Sequence, residues 1–372
     1  MEISYILAIN PGSTSTKIAV YNGNNSVFLK TIRHDCEELA QFNEVTDQFE
    51  FRKSLIMQEV RENGIPLEEI RIVIGRGGLI RPIVSGVYEV NDEMIKDLSA
   101  GVMGKHASNL GGLIAADICK ELPAAKPYIA DPVVVDELND VARITGHPDI
   151  KRVSIFHALN QKATARTYAQ SCGMNYEDLN LIIAHLGGGI SVGAHKKGRV
   201  IDVNNALDGD GPFSPERSGS LPVGALVDYC YYNDVSHEEI KKMITGKGGL
   251  MAYTGSNDAH QLELAARRGD KKSRLLQQAM GYQTSKEIGA MAAVLEGEVH
   301  AIILTGGIAH NPDLTGYIKE HVGYIAPVFI YPGEDEMRAL AMNGLLLLKG
   351  SVQAREYKQE NFVEGFDLND LD

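Results

Sequence analysis

Apolar and polar residues alternate in short runs along the first third of the chain, and turns rich in glycine, serine and threonine separate the runs. Ile6-Leu7-Ala8-Ile9 reads as a buried strand, Asn10-Pro11-Gly12-Ser13-Thr14-Ser15 as a turn, and Thr16-Lys17-Ile18-Ala19-Val20 as the returning strand. A further strand edge follows at Val27-Phe28-Leu29. Between residues 48 and 62, Phe49, Phe51, Leu55, Ile56 and Val60 recur at helical spacing, and Gly64 and Pro66 stop the helix. A strand over 70–74 leads into a glycine-rich turn. Helices are predicted over 93–98 and 108–121, with a strand at 128–130.

A second strand, turn and strand occupies Leu181-Ile182-Ile183-Ala184-His185-Leu186, Gly187-Gly188-Gly189 and Ile190-Ser191-Val192-Gly193-Ala194. Gly187 stands where the first unit has Gly12, an offset of 187 − 12 = 175 residues. A duplication of that length implies two domains of one topology. The later half reads as helical. Ser236-His237-Glu238-Glu239 matches a capping box, and 270–296 is one long helix or a kinked pair. A strand over 301–304 ends in Thr305-Gly306-Gly307, followed by a helix over 312–321, a strand over 325–331 and a helix over 336–348. The last 22 residues read as a solvated surface helix or a frayed tail.

Composition narrows the function classes. The 372 residues carry 36 Lys and Arg against 49 Asp and Glu, a net charge of −13, which disfavours nucleic acid and anionic membrane as partners. The apolar runs fall far below the ~18 residues that span a bilayer, and the N-terminus has no basic region ahead of its short apolar run. A cytoplasmic chain is expected. Cys36, Cys119, Cys172 and Cys230 lie too far apart for a zinc motif and are too few for a disulfide framework.

Strands alternating with helices, and glycine turns at strand ends, give an α/β class able to hold phosphate. Glycine lets backbone N–H groups converge on a phosphate where a Cβ would obstruct them. Three such turns exist, at Gly12, at Gly187 to Gly189, and at Gly306-Gly307. The chain contains no GxxxxGK[ST], no GxGxxG opening a helix after the first strand, and no HRD and DFG pair. P-loop enzymes, dinucleotide-binding domains and protein kinases are thereby disfavoured. A phosphate-holding hairpin repeated in two halves is the device of the actin, sugar-kinase and heat-shock-chaperone ATPase superfamily.

Three motifs, Asn10-Pro11-Gly12-Ser13-Thr14-Ser15-Thr16-Lys17, His185-Leu186-Gly187-Gly188-Gly189-Ile190-Ser191 and Thr305-Gly306-Gly307-Ile308-Ala309-His310, resemble those of the acetate and butyrate kinase family. The resemblance runs in order through Gly75-Arg76-Gly77-Gly78, Gly104-Lys105-His106, Asp131-Pro132, Phe156-His157 and Pro215-Glu216-Arg217-Ser218-Gly219. Within the family the chain looks most like the butyrate and branched-chain fatty-acid kinases. It departs from the acetate branch at Phe156-His157-Ala158-Leu159-Asn160-Gln161, where that branch carries a second histidine. It departs again at Gly77 and Gly78, where acetate kinases usually place valines. Losing two branched side chains there is expected to enlarge the acyl pocket.

The resemblance implies a duplicated two-domain α/β fold with an interdomain cleft: residues 1–150 plus about 335–372 on the acyl side, and 151–334 binding the nucleotide. It implies transfer of the γ-phosphoryl of ATP to butyrate or a short branched acid, giving the acyl phosphate and ADP, with acetate or propionate as the alternative acceptor. An ATP-binding sensor of the same superfamily is a further alternative. The chemistry needs no general base, because a carboxylic acid with a pKa near that of Glu, ~4.3, is already ionised at neutral pH. Arg76 and Arg217 would clamp carboxylate and phosphoryl oxygens, His157 would donate to the transferring group, and Asp131 would orient an arginine or a metal-bound water. Gly187, Gly188 and Gly189, with His185, would meet the ATP phosphates. Gly306, Gly307 and Ile308 would meet the adenosine, and Asn10, Gly12, Ser13, Thr14 and Lys17 are further phosphate neighbours. Gly77, Gly78, His106 and Phe156 would line the acyl pocket, and Asn10 and Glu336 would hold Mg²⁺. A homodimer or higher homo-oligomer is expected from the family.

Overall fold

The computed structural model describes residues 4–122 and 124–365. It separates into two compact units, one of residues 4–136 and 335–365 and the other of residues 137–334.

The first unit is built on a six-stranded sheet. Its strands are β1 (Tyr5–Pro11), β2 (Ser15–Asn22), β3 (Asn25–Arg33), β4 (Ile70–Arg76), β5 (Val87–Glu89) and β6 (Lys126–Ala130), in the order β3-β2-β1-β4-β6-β5. β1 pairs antiparallel with β2 across the first glycine turn and parallel with β4 on its other side. The parallel pairing sets the C-terminal ends of β1 and β4 side by side, which places Asn10 beside Arg76. Helix Phe49–Glu62 lies where its apolar spacing foretold, preceded by one 3₁₀ turn at Val45–Gln48. Helix Asn109–Glu121 comes so close to β4 that a Cβ on Gly75 would sit 2.2 Å from the Gly111 carbonyl oxygen. Helix Glu336–Leu348 packs on β1 and β4, with Gly344 against Ile6 and Ile72, and carries Glu336 to Asn10.

The second unit repeats the plan with five strands: β7 (Asn180–Leu186), β8 (Ile190–Lys196), β9 (Arg199–Val203), β10 (Ala301–Gly306) and β11 (Val328–Pro332), in the order β11-β10-β7-β8-β9. β7 and β8 start 180 − 5 = 175 and 190 − 15 = 175 residues after β1 and β2. The hairpin again pairs antiparallel, with a parallel strand on its far side. β7 is buried along its whole length, and its core runs through Ile182, Ala184, Val192, Ile302 and Leu304 to helix Lys271–Val294, which is a single unbroken helix. A fully covered strand of this kind reads as an unbroken apolar run.

Three expectations change. Residues 351–365 form no surface α-helix: Arg355 exchanges backbone hydrogen bonds with Val87 and Glu89, and Tyr357 is fully buried. Residues 366–372 lie outside the described residues. The strand expected over 325–331 begins at Val328, because Ile325 closes a turn on Val322. Helix Ala158–Ser171 was not foreseen, because its buried face includes Asn160, Gln161, Lys162 and Thr164 and so lacks an apolar stripe. Among the described residues, no helix is long and apolar enough to cross a membrane, and Cys119, Cys172 and Cys230 are free thiols.

Candidate active site

In the first unit three side chains meet at the ends of β1, β4 and helix Glu336–Leu348. Arg76 faces the Glu336 carboxylate with both terminal nitrogens, Nη2 at 3.2 Å from Oε1 and Nη1 at 3.3 Å from Oε2. Asn10 Nδ2 donates to Glu336 Oε2 at 2.5 Å, and Arg76 Nη1 reaches Asn10 Oδ1 at 3.5 Å. Glu336 opens its helix, where the N-terminal dipole favours a carboxylate, and Asp335 caps that helix by accepting from Arg338 N. The paired geometry of guanidinium and carboxylate fixes the plane of Arg76.

The turn from Gly12 to Thr16 is held from below by a residue the motifs did not point to. Arg52, only 1% exposed, donates Nη1 to the carbonyl oxygens of Gly12 (2.7 Å) and Ser15 (3.2 Å) and to Thr16 Oγ1 (3.1 Å). Its Nη2 donates to the Ser13 carbonyl at 3.0 Å, and Gln48 Oε1 accepts from both Nε and Nη2. Burial pulls its pKa down to about 10. A buried cation thus satisfies the carbonyls of a turn that closes on itself through Gly12 N to the Ser15 carbonyl, with Ser13 and Thr14 exposed on its outer side. Lys17 is exposed on β2. His34 Nε2 lies 2.9 Å from Thr16 Oγ1, and burial and the Arg52 charge lower its pKa to about 4.

Asp131 adopts φ 39°, a left-handed conformation that costs a non-glycine residue about 1–3 kcal/mol. Its Oδ1 accepts from Ser85 Oγ at 2.6 Å and from Gly86 N at 3.0 Å. His106 is exposed, with Nδ1 2.9 Å from Ser108 Oγ. The pocket-enlarging role expected of Gly77 and Gly78 does not hold. A Cβ on Gly77 would lie 2.5 Å from Pro132 Cβ, and one on Gly78 2.6 Å from Asn109 Cα. The space that larger side chains would fill is taken by these neighbours, so the glycines permit close packing and open no extra volume.

In the second unit the glycine turn Gly187 to Gly189 joins β7 to β8 and closes on itself through Gly187 N to the Gly189 carbonyl, at 3.1 Å. The Arg217 guanidinium presses on this turn. A Cβ on Gly189 would fall 1.9 Å from Arg217 Nη1, which also donates to the Ala206 carbonyl. Burial lowers the Arg217 pKa, and its Nε is buried without a hydrogen-bond partner among the described residues. A buried guanidinium with an unused donor beside a glycine turn is the kind of geometry that can bind an anion. His157, at the start of helix Ala158–Ser171, stacks on His185 with ring centroids 3.7 Å apart and planes 9° from parallel. His185, on β7, has Nδ1 2.7 Å from Asn160 Oδ1 and Nε2 3.0 Å from Glu334 Oε1. Phe156 is buried at 2% exposure.

Gly306, at φ 91°, ends β10 against β7: a Cβ there would lie 2.3 Å from the Leu186 carbonyl oxygen. The third turn therefore lies next to the second. Gly307 is exposed with open space above it, and Ile308 is half-buried. The acidic loop at Asp208 and Asp210 is used locally, since Asp210 accepts from Asn205 N and Gly211 N and Asp208 pairs with Lys241. Among the described residues, no group of three or more His, Cys, Asp or Glu side chains is placed to hold a metal.

The model of the acetokinase family matches residues 147–322. Two proteins of Clostridium acetobutylicum named Butyrate kinase 2 and Butyrate kinase 1 are each 54% identical over 353 residues, which is 95% of this chain and 99% of theirs. The crystal structure of Porphyromonas gingivalis acetate kinase superimposes with a TM-score of 0.77 at 19% identity, covering 93% of this chain and all of that one. That likeness establishes the fold.

Proposed function

The chain belongs to the acetokinase family, and from that premise we propose that it is a cytoplasmic butyrate kinase. It moves the γ-phosphoryl of ATP onto a short-chain carboxylate, yielding the acyl phosphate and ADP. The observation that carries this reading is 54% identity to butyrate kinases over nearly the full length of both chains. The site geometry agrees with it: two arginines and an anion-ready glycine turn are present where a base would be needless.

In the proposed reaction a carboxylate oxygen attacks the γ-phosphorus, the bond from phosphorus to the β–γ bridging oxygen breaks, and ADP leaves with that electron pair. No proton moves from the acceptor, which is already ionised. Catalysis is then positioning and charge neutralisation. Arg76, held in plane by Glu336, takes the carboxylate side. Arg217 and the turn from Gly187 to Gly189, through the N–H groups of Gly188 and Gly189, take the phosphoryl side, and His157 donates to an oxygen of the transferring group. Gly306, Gly307 and Ile308 meet the adenosine, while beside Gly12 the hydroxyls of Ser13 and Thr14 and the Lys17 ammonium offer donors at the first turn. Asp131 holds the Ser85-Gly86 turn that backs this region of the first unit.

The Glu336 carboxylate and the Asn10 amide oxygen, which here faces Arg76 Nη1 while the amide nitrogen donates to Glu336, are the hard oxygen donors that would hold Mg²⁺ while it keeps most of its water. Arg76 shares the Glu336 charge, so the metal would be held by these two residues and by nucleotide phosphates. When bound, Mg²⁺ neutralises phosphate charge. We further place the enzyme in a homodimer, a reading supported by helix Val223–Tyr232, whose Val223, Tyr231 and Tyr232 are 74%, 83% and 85% exposed.

The direct test is hydroxylamine trapping. With Mg-ATP and butyrate the enzyme is expected to yield butyryl hydroxamate in step with ADP, and Arg217→Ala is expected to abolish it. ADP release without hydroxamate would overturn the assignment.

A further inference from the structure

Behind His157 lies a line of side chains that no part of the proposed chemistry uses. Tyr176 Oη is 2.6 Å from His195 Nδ1, and His195 Nε2 is 2.9 Å from Gln161 Oε1. Gln161 Nε2 is 2.8 Å from Ser191 Oγ and 3.1 Å from the Ser191 carbonyl oxygen, and Ser191 Oγ is 2.9 Å from His157 Nδ1. Tyr176, His195, Gln161 and Ser191 are all buried, at 3% exposure or less. Gly193 leaves room for the line, since a Cβ there would lie 2.7 Å from Gln161 Oε1.

Hydrogen-bond valence fixes the direction of every link. The Ser191 carbonyl can only accept, so the amide of Gln161 must face it with its NH₂ group, which leaves Oε1 facing His195. His195 Nε2 must therefore carry a hydrogen. Burial and the nearby charges of Lys162 and Arg166 keep this imidazole neutral, so its Nδ1 is bare and accepts from the Tyr176 hydroxyl. Among the described residues, three nitrogens stand around Ser191 Oγ: Gln161 Nε2, His157 N at 3.5 Å and His157 Nδ1. The first two are donors. Only Nδ1 can take the hydroxyl hydrogen.

We propose that Tyr176, His195, Gln161 and Ser191 form a one-way hydrogen-bond relay that locks His157 in the tautomer with its proton on Nε2. Nδ1 is committed to Ser191, so His157 presents an N–H, never a lone pair, from its other edge. Neutral imidazole in that state can donate to a phosphoryl oxygen but cannot act as a base toward water, which would disfavour ATP hydrolysis. Gln161 and Ser191 are positioning residues, acting through His157. The catalytic meaning rests on the donor role proposed for His157; the tautomer itself does not.

The test is long-range ¹H–¹⁵N correlation of the full-length protein labelled with ¹⁵N-histidine, with His157 identified by the signals missing from His157→Gln. The native protein should show His157 with Nε2 protonated and Nδ1 bare. Gln161→Glu is nearly isosteric but cannot donate to Ser191; it should draw the serine hydroxyl away and move the His157 proton to Nδ1. The same variant should lose ~10-fold or more in kcat with KM for ATP little changed. Ser191→Ala, should Gln161→Glu not fold, should turn the single tautomer into a mixture. A native His157 protonated on Nδ1, or a tautomer indifferent to both substitutions, would overturn the relay. An Nε2 tautomer that reverses in Gln161→Glu while kcat stays unchanged would keep the relay and remove the donor role from His157.

Discussion

Arg52 shows how much a single buried side chain can determine. Its guanidinium satisfies three carbonyls of the first glycine turn as well as Gln48 and Thr16. Arg52→Met should leave these acceptors unpaired at about 1–3 kcal/mol per buried group, so urea unfolding should register a loss of about 3 kcal/mol. A change under about 0.5 kcal/mol would contradict the role, since that is the scatter of neutral surface substitutions. Arg217 makes a second case. Lysine cannot reproduce a planar fork against Gly189, so Arg217→Lys should lower kcat by roughly 10²-fold. His34, held to about 4 in the fold, regains an ordinary pKa near 6.5 when unfolded. The unfolded chain therefore binds the proton first, and stability should fall as pH drops below 6.5, levelling near pH 4. Unfolding free energies of the native protein and His34→Gln, compared across that window, should converge as pH falls. At this scale Arg76, His157 and Arg217 stand out from motifs as the proposed site residues. Arg52 does not, because a buried arginine on an amphipathic helix looks in sequence like an ordinary solvent-facing one.

Among the elements, those with a clear period or a cap were readable. The hairpins, helix Phe49–Glu62 and helix Glu336–Leu348 follow apolar spacing. Helix His237–Ile244 begins on the Ser236 and Glu239 capping box that the sequence announced. Ser236→Ala should cost about 1 kcal/mol of stability by thermal or urea unfolding. Helix Ala158–Ser171 defeated the same reasoning because its inward face is polar. Asn160, Gln161 and Lys162 are buried there by partners, Lys162 through a 2.7 Å contact with Glu137. Tertiary hydrogen bonding replaced the apolar stripe, and it did so in the helix that begins at His157. Gly77 and Gly78 taught the opposite lesson. Small residues near a site suggested open volume, whereas Pro132 and Asn109 occupy it.

For the whole molecule, the 175-residue offset between Gly12 and Gly187 anticipated the duplication, and the two sheets repeat the same hairpin with a parallel neighbour. Assembly was not legible, because exposed tyrosines acquire meaning only once a helix is seen to leave them uncovered. If the native protein sediments as the proposed dimer, Tyr231→Glu with Tyr232→Glu should convert it to a monomer while leaving the fold intact; a native monomer, or an unchanged dimer mass in the variant, would contradict the proposed interface. Acyl preference also belongs to this scale, since no single glycine accounts for it. Each buried methylene contributes about 0.8 kcal/mol, or roughly fourfold, so butyrate should exceed acetate by about 15-fold in kcat/KM. The decisive measurement is kcat/KM for ADP release with Mg-ATP across acetate, propionate, butyrate, isobutyrate and valerate, with a no-acceptor control. The account predicts a maximum at the four-carbon acids and almost no release without acceptor. A maximum at acetate, or release indifferent to acceptor, would contradict it.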